Sequence, residues 1–385
     1  MPEFIAKTLF GLEEVLAEEL RNLGAAQVKV LNRAVGFTGD KKFLYRANYH
    51  LRTALKILIP IGEADNIGDE TDLYNYVRSI PWDRYLGVND TLAVEVAMHT
   101  DVFKHTQYIA QKIKDAVVDQ FRDKYGSRPS VDLESPALRI NAYISNRSIK
   151  LSRDSSGDSL HRRGYRDKQG PAPMNEVLAA GLIKLAGWNG IDPFVDFMCG
   201  SGTLAIEAAL QAYRIPPGEL RGEYGFQKWK DYDVKLFNEI VNESKQSRAD
   251  SGVRIFASDI APEAVRLSMR HAQNAGVMKM INFQTCHFSD LIPPPPPGII
   301  IINPPYGERI MQLNLNALYS QIGDKFKKDF AGFEAWIISS NAEAVKHIGL
   351  RPSKKIPVYN GQLECRFNRY SLYQGSRKTD KMIVS

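Results

Sequence analysis

A chain of 385 residues exceeds what one hydrophobic core organises, so two or three domains are expected. Its 44% hydrophobic and 24% charged residues exclude the disordered, collagen-like and disulfide-scaffold classes. A formal charge of +6 suits a polyanionic partner, although proteins that bind no nucleic acid also carry such an excess.

The N-terminal stretch MPEFIAKTLFGLEEVLAEEL places acids at helical spacing where a signal peptide needs an uncharged apolar run, and no run is long enough to cross a bilayer. A cytoplasmic protein is expected. Cys199, Cys286 and Cys365 are odd in number and widely separated, which predicts reduced thiols. The seven histidines show no ligand spacing, so no metal is expected.

In chain order, GLEEVLAEELRNLG reads as a helix, VKVLN and TLAVEVAM as strands, and HTQYIAQKIKDAVVDQFRDKYG as a helix stopped by Gly126. This half reads as α+β, with a division near Leu55. The polar and basic stretch LSRDSSGDSLHRRGYRDKQGPAP then marks the main boundary. Beyond it the pattern alternates: a helix from Met174 to about Ala186, strand FVDFMC, a helix opening at Gly202, strand RIFASD, and a helix from Pro262 to Asn274. Strands follow around Ile281 to Phe288, Ile299 to Ile302 and Ala335 to Ser339. Such alternation predicts a parallel sheet, and the closing segments KIPVYN and CRFNRYSLY predict an antiparallel edge hairpin. The stretch from Gln211 to Arg248 is too long for an ordinary connection and reads as an insertion. Pro293 to Pro297 forbid helix and leave a stiff polyproline link.

Three constellations carry chemistry. In VDFMCGSGTLAIEAAL, Asp196, Met198, Gly200, Ser201, Gly202 and Thr203 form a strand, a glycine turn and a helix start, where free N–H groups can face a nucleotide-like cofactor. The same spacing satisfies a dinucleotide fingerprint, or a bare strand-to-helix turn. Asp259 ends the next strand and can accept both hydroxyls of a ribose, or cap the helix at Pro262. Asp290, in HFSDL, can accept from an adenine amino group while Ile260 packs on the ring, or merely make a turn.

The third constellation is IIIINPPYGER. Pro304 and Pro305 cannot continue a central strand, so the chain leaves the sheet at its carboxyl edge in a fixed shape. The amide oxygen of Asn303 and the carbonyl of Pro304 can then accept from one amino group, aiming its lone pair at an electrophilic methyl. Tyr306 offers a ring for a base, worth about 1–3 kcal/mol of stacking. A turn that merely ends a strand does not require asparagine and tyrosine around the two prolines.

These residues, in this order, resemble the class I methyltransferases that modify amino nitrogens. The resemblance spans Pro171 to Tyr373 and implies that the glycine loop and Asp259 hold S-adenosylmethionine, that Asn303 to Tyr306 hold the target amino group, and that Asn175 belongs to a segment closing over the methionine end. The phrase LSRDSSGDSLHRRGYR, with KDAVVDQFRDKYGSRPSVD upstream, is similar to the RlmL family of bacterial 23S rRNA guanine-N2 methyltransferases, whose THUMP domain precedes the catalytic domain. This resemblance implies an α/β Rossmann-like catalytic domain, a mostly parallel seven-stranded sheet with an antiparallel edge hairpin, preceded by an α+β ferredoxin-like and THUMP region. The expected boundaries are 1–55 ferredoxin-like, 56–152 THUMP, 153–170 basic linker and 171–385 methyltransferase. Some members carry a second methyltransferase domain, which a chain ending at Ser385 is expected to lack.

Arg153, His161, Arg162, Arg163 and Arg166 are candidates for contacts to RNA, because arginine beside an aromatic pairs phosphates and stacks bases; a solvated linker is the plainer alternative. The expected reaction is methyl transfer to guanine N2 in 23S rRNA. Its rivals are a tRNA guanine methyltransferase, an enzyme acting on adenine or on a protein glutamine, and a non-catalytic RNA-binding assembly factor.

Overall fold

The computed structural model describes residues 1–166, 174–305 and 312–373, which divide into two compact units. The first holds Met1–Thr8, Leu16–Arg162 and Arg221–Glu243. Its elements are β1 (Glu3–Lys7), α1 (Glu13–Leu23), β2 (Ala26–Leu31), β3 (Ala34–Thr38), α2 (Lys41–His50), β4 (Lys56–Ala64), α3 (Glu70–Ser79), β5 (Thr91–His99), α4 (Thr106–Tyr125), β6 (Ser130–Val131), β7 (Leu138–Ser145) and β8 (Ser148–Asp154). The first residues of α1 count with the second unit.

The strands form one eight-stranded sheet in the order β2-β3-β1-β4-β8-β7-β5-β6. The boundary expected near Leu55 therefore falls where β4 starts, and β4 pairs antiparallel with β1 on one side and β8 on the other. Two hydrophobic cores share that sheet: one around Phe4, Val35, Phe37 and Tyr45, the other around Trp82, Ile113, Phe121 and Ile140. Helix α4 ends as its sequence predicts, with Gly126 left-handed at φ 70° and its N–H on the Arg122 carbonyl at 2.9 Å.

The expected insertion folds back onto this first unit. Phe226 stacks on Tyr45 with ring centres 4.3 Å apart, and Phe237 and Ile240 join the same core. Arg221 donates to the carbonyls of Ser156, Ser159 and Arg162 at 3.0–3.2 Å, which fixes the chain leaving β8. The apolar residues scattered through PPGELRGEYGFQKWKDYD thus fill a core begun 180 residues earlier, a non-local pairing that no local pattern encodes.

The second unit holds Leu9–Val15, Arg163–Leu220 and Ser244–Ser385. Its elements are α5 (Glu176–Leu185), β9 (Phe194–Asp196) and α6 (Thr203–Ala212). After α7 (Val234–Gln246), most of which counts with the first unit, come β10 (Ile255–Asp259), α8 (Pro262–Asn274), β11 (Ile281–Thr285), β12 (Gly298–Ile302), α9 (Gln312–Asp329), β13 (Phe333–Ser339), α10 (Ala342–Lys346), β14 (Lys354–Asn360) and β15 (Leu363–Ser371). The seven-stranded sheet runs β11-β10-β9-β12-β13-β15-β14. Strands β11 to β13 are parallel, and β15 and β14 supply the antiparallel edge.

The run of isoleucines has a direct structural reason. Side chains alternate faces along a strand, and Ile299 and Ile301 enter one core while Ile300 and Ile302 enter the other. A strand covered on both sides needs apolar residues at every position. Among the described residues no helix is long and apolar enough to cross a membrane.

The α9 packing depends on one small residue. A Cβ on Gly323 would stand 1.9 Å from the Ile348 carbonyl oxygen, an atom that cannot swing aside. Gly323→Ala is expected to lower unfolding free energy by about 1–3 kcal/mol in urea titrations, the usual cost of overpacking.

Candidate active site

The site is assembled at the carboxyl ends of β9, β10 and β12, around a cavity of about 520 Å³. Asp196, Met198, Gly200, Ser201, Thr203 and Asn303 all line it, so the first and third constellations, 100 residues apart in the chain, share one space. The turn is left-handed at both glycines, φ 53° at Gly200 and 80° at Gly202. Their reasons differ. A Cβ on Gly200 would meet no protein atom within 4 Å, which leaves the cavity side open. One on Gly202 would stand 2.9 Å from the Ser268 side chain, so Gly202 also lets α8 pack against the turn.

Asp259 locks this turn. One carboxylate oxygen accepts from the Gly200 N–H at 2.9 Å and the other from the Ala261 N–H at 3.0 Å. Each oxygen keeps a second acceptor position for a ligand hydroxyl. Ile260 follows it with 66% of its surface exposed, an uncovered aliphatic face at the end of β10. Asp290 is exposed and accepts from the Ser289 hydroxyl at 2.9 Å; Asp290, Ile260 and Asp259 itself stand outside the lining of the cavity, which Asp259 touches only through the Gly200 and Ala261 amides it holds.

On the facing side, the Oδ1 of Asn303 is buried and has no hydrogen-bond partner among the described residues. Pro304 is buried and Pro305 exposed; Tyr306 lies outside the described residues. A buried acceptor left open costs about 1–3 kcal/mol, a cost the fold bears at the wall of this cavity.

Other lining residues carry no sequence signal. Met174, Cys199, Leu204, Ala261, Glu263, Ala264, Leu267 and Asn360 complete the wall. Glu263 in the first turn of a helix reads as a dipole complement, and Asn360, at the end of β14, is brought to the cavity only by the fold. Asn175 is placed by its own backbone. Its Oδ1 accepts from the N–H groups of Val177 and Leu178 at 2.9 and 3.4 Å, so it caps α5, and its neighbour Met174 is the residue that reaches the cavity.

The basic segment is corrected. Arg163 is 2% exposed and paired at 3.4 Å with Glu207, which also accepts from the Tyr165 hydroxyl. Arg166 pairs with Glu176 at 3.2 Å and donates to the Met174 carbonyl at 2.7 Å and to the Thr203 hydroxyl. It therefore ties together two walls of the cavity. Arg153 lies over the Trp229 ring at 4.0 Å and the Tyr85 ring at 5.3 Å. These three are consumed by packing, because guanidinium groups in a low-dielectric interior require partners. Arg162, 67% exposed beside Asp158, and the half-buried His161 keep access to solvent.

Arg163→Met leaves Glu207 without its guanidinium and is expected to cost about 3–5 kcal/mol in urea unfolding; RNA affinity lost at unchanged stability would restore the surface reading.

Burial raises the Asp196 carboxyl to about 8, with the Met198 N–H opposing and the Asp259 charge adding to the rise. The folded chain then holds a proton that the unfolded chain has released, so this group's contribution falls as pH rises from about 4 to 8, by at most about 1.4 kcal/mol per unit. His50, lowered by burial to about 4, gives the opposite slope over the acid part of the range. The difference in unfolding free energy between the ligand-free protein and Asp196→Asn, titrated over this range, isolates the first effect and is expected to decline with pH.

Comparison with known proteins gives this geometry its family. Residues 163–369 match the RMKL-like methyltransferase domain, residues 3–58 the RlmL ferredoxin-like domain, and residues 68–154 the THUMP domain. A Synechocystis sp. protein, named as a candidate RNA methyltransferase, is 40% identical over 96% of this chain and 97% of its own length. The Ribosomal RNA large subunit methyltransferase K/L of Syntrophotalea carbinolica is 37% identical over 96% of this chain, which spans 53% of that protein. Among solved structures, SMU.472, a candidate methyltransferase crystallised with SAH, superposes with a TM-score of 0.88 at 26% identity, covering 97% of this chain and 99% of its own. The chain belongs to the RMKL-like methyltransferase family, whose methyl donor is S-adenosylmethionine.

Proposed function

We propose that this chain transfers a methyl group from S-adenosylmethionine to the exocyclic N2 amino group of a guanosine in 23S ribosomal RNA. The observation that carries the reading is the unpartnered Asn303 Oδ1, held in the same cavity as the glycine turn. The THUMP match over residues 68–154 and the ribosomal RNA names of relatives support RNA as the substrate. The guanine N2 assignment rests on the resemblance drawn from the Asn-Pro-Pro-Tyr segment and the basic phrase before it.

The donor supplies an electrophilic methyl on a positively charged sulfur. The protein's task is positioning. Gly200, Asp259 and the first turn of α6 receive the nucleoside end, with Asp259 accepting from ribose hydroxyls. Asn303 Oδ1 and the Pro304 carbonyl accept the two amino hydrogens of the base, which withdraws the nitrogen lone pair from conjugation and points it at the methyl carbon. The bound donor would supply the methyl carbon and leave as a neutral sulfide, while Asn303 and Pro304 would hold the nitrogen in line and leave its extra proton free to pass to solvent. No base within the cavity is required, because the driving force is loss of the sulfonium charge. Asp196 and Asn175 act indirectly, by shaping the loop and capping α5.

Asn303→Ala is expected to reduce methyl incorporation into 23S rRNA from a deletion strain by at least about a hundredfold, the scale of losing one positioned polar contact to the reacting group. Donor affinity by calorimetry should stay within about threefold. Parallel loss of both would overturn this division of roles.

A further inference from the structure

A second cavity, of about 300 Å³, lies elsewhere on the catalytic unit and shares no lining residue with the first. It is lined by Ser339 at the end of β13 and Ser340 after it, by Ala342 and Val345 of α10, by Lys355 on β14, and by Glu364, Arg366 and Asn368 on β15. Cross-strand register places it. Ile337 stands opposite Ile302 on β12, and Arg366 stands opposite Ser339. Ser339 is therefore level with the chain two residues beyond Ile302, where Asn303 and Pro304 turn out of the sheet. Two strand spacings of about 4.8 Å separate β12 from β15.

Its chemistry is that of a polyanion site with a fixed floor. Ser339 and Asn368 are 3% and 2% exposed. The Ser339 hydroxyl is set by the Tyr319 hydroxyl at 2.8 Å and the Asn341 N–H at 3.1 Å, and the Asn368 amide donates to the Arg366 carbonyl at 3.2 Å. Above this floor Lys355 and Arg366 are exposed and form none of the ion pairs found among the described residues. Glu364 shares the rim with them. The hairpin that carries these groups also delivers Asn360 to the cofactor cavity, so one element borders both spaces.

We propose that this cavity holds the ribose-phosphate of a nucleotide next to the methylated one, a role that rests on the RNA reading above. Lys355 and the Arg366 guanidinium receive the phosphate oxygens, and Glu364 accepts from the ribose 2′-hydroxyl, the group that marks RNA. Anchoring a neighbouring nucleotide fixes the strand while the target base is displaced toward Asn303.

The experiment uses the full chain and 23S rRNA extracted from a strain deleted for its gene, with Lys355→Gln/Arg366→Gln as the variant. Both positions are exposed, and unchanged donor affinity confirms an intact catalytic unit. The expected result is a KM for RNA raised about tenfold or more, a KM for the donor within twofold, and a salt dependence of RNA binding flatter by about one unit of log–log slope. A second variant, Glu364→Ala, should narrow the preference for RNA over a DNA strand of the same sequence; an unchanged preference overturns the 2′-hydroxyl contact. An RNA KM and salt slope that match the parent protein, with the parent active, overturn this proposal alone. A parent protein that methylates no RNA overturns the functional reading, and this inference with it.

Discussion

The end of β12 is the constraint on which the candidate site depends. The Asn303 Oδ1 is buried without a donor among the described residues, and such an atom is tolerated only where the surrounding structure over-determines its place. Here β12 does so. Its four isoleucines are locked into cores on both faces of the sheet, and the two prolines that follow carry no N–H with which to continue the ladder. The chain must stop at Asn303, and its amide must stand at the edge.

The glycine turn across the cavity obeys the same logic with charge in place of an amide. Asp259 spends one lone pair on each of two backbone amides, Gly200 and Ala261, so the carboxylate that resembles a ribose ligand is also the strut of the loop. Asp196, one strand away, is buried deeply enough to resist ionisation. A turn built on positive φ at two glycines has little stability of its own, and these contacts, with the Ser268 hydroxyl on the Gly200 carbonyl at 2.6 Å, hold it.

The buried arginines show how a basic phrase divides its labour. Arg163 and Arg166 sit four residues or fewer from Arg162, yet they face Glu207 and Glu176 while Arg162 faces solvent. Arg166 reaches both Met174 and Thr203, so part of what reads as an RNA-facing segment braces the donor cavity. The division of the chain into compact units falls between Arg162 and Arg163, and the change of role falls with it.

By itself the sequence determined what local chemistry dictates. Alternating β and α segments, a glycine turn after an apolar strand, an acid ending the next strand, and Asn-Pro-Pro after a run of isoleucines specify a doubly covered sheet with a site at its carboxyl edge, because each depends on neighbours a few residues apart. Tertiary structure alone decided everything that pairs residues far apart. It returned Phe226 to Tyr45, made β4 a strand of two halves at once, turned Asn175 into a cap and Met174 into a wall, and carried Asn360 to the cavity. It also chose which arginines meet carboxylates. Local pattern says that a guanidinium is present; only the packed interior, where an unpaired charge is too costly to keep, says where it must point.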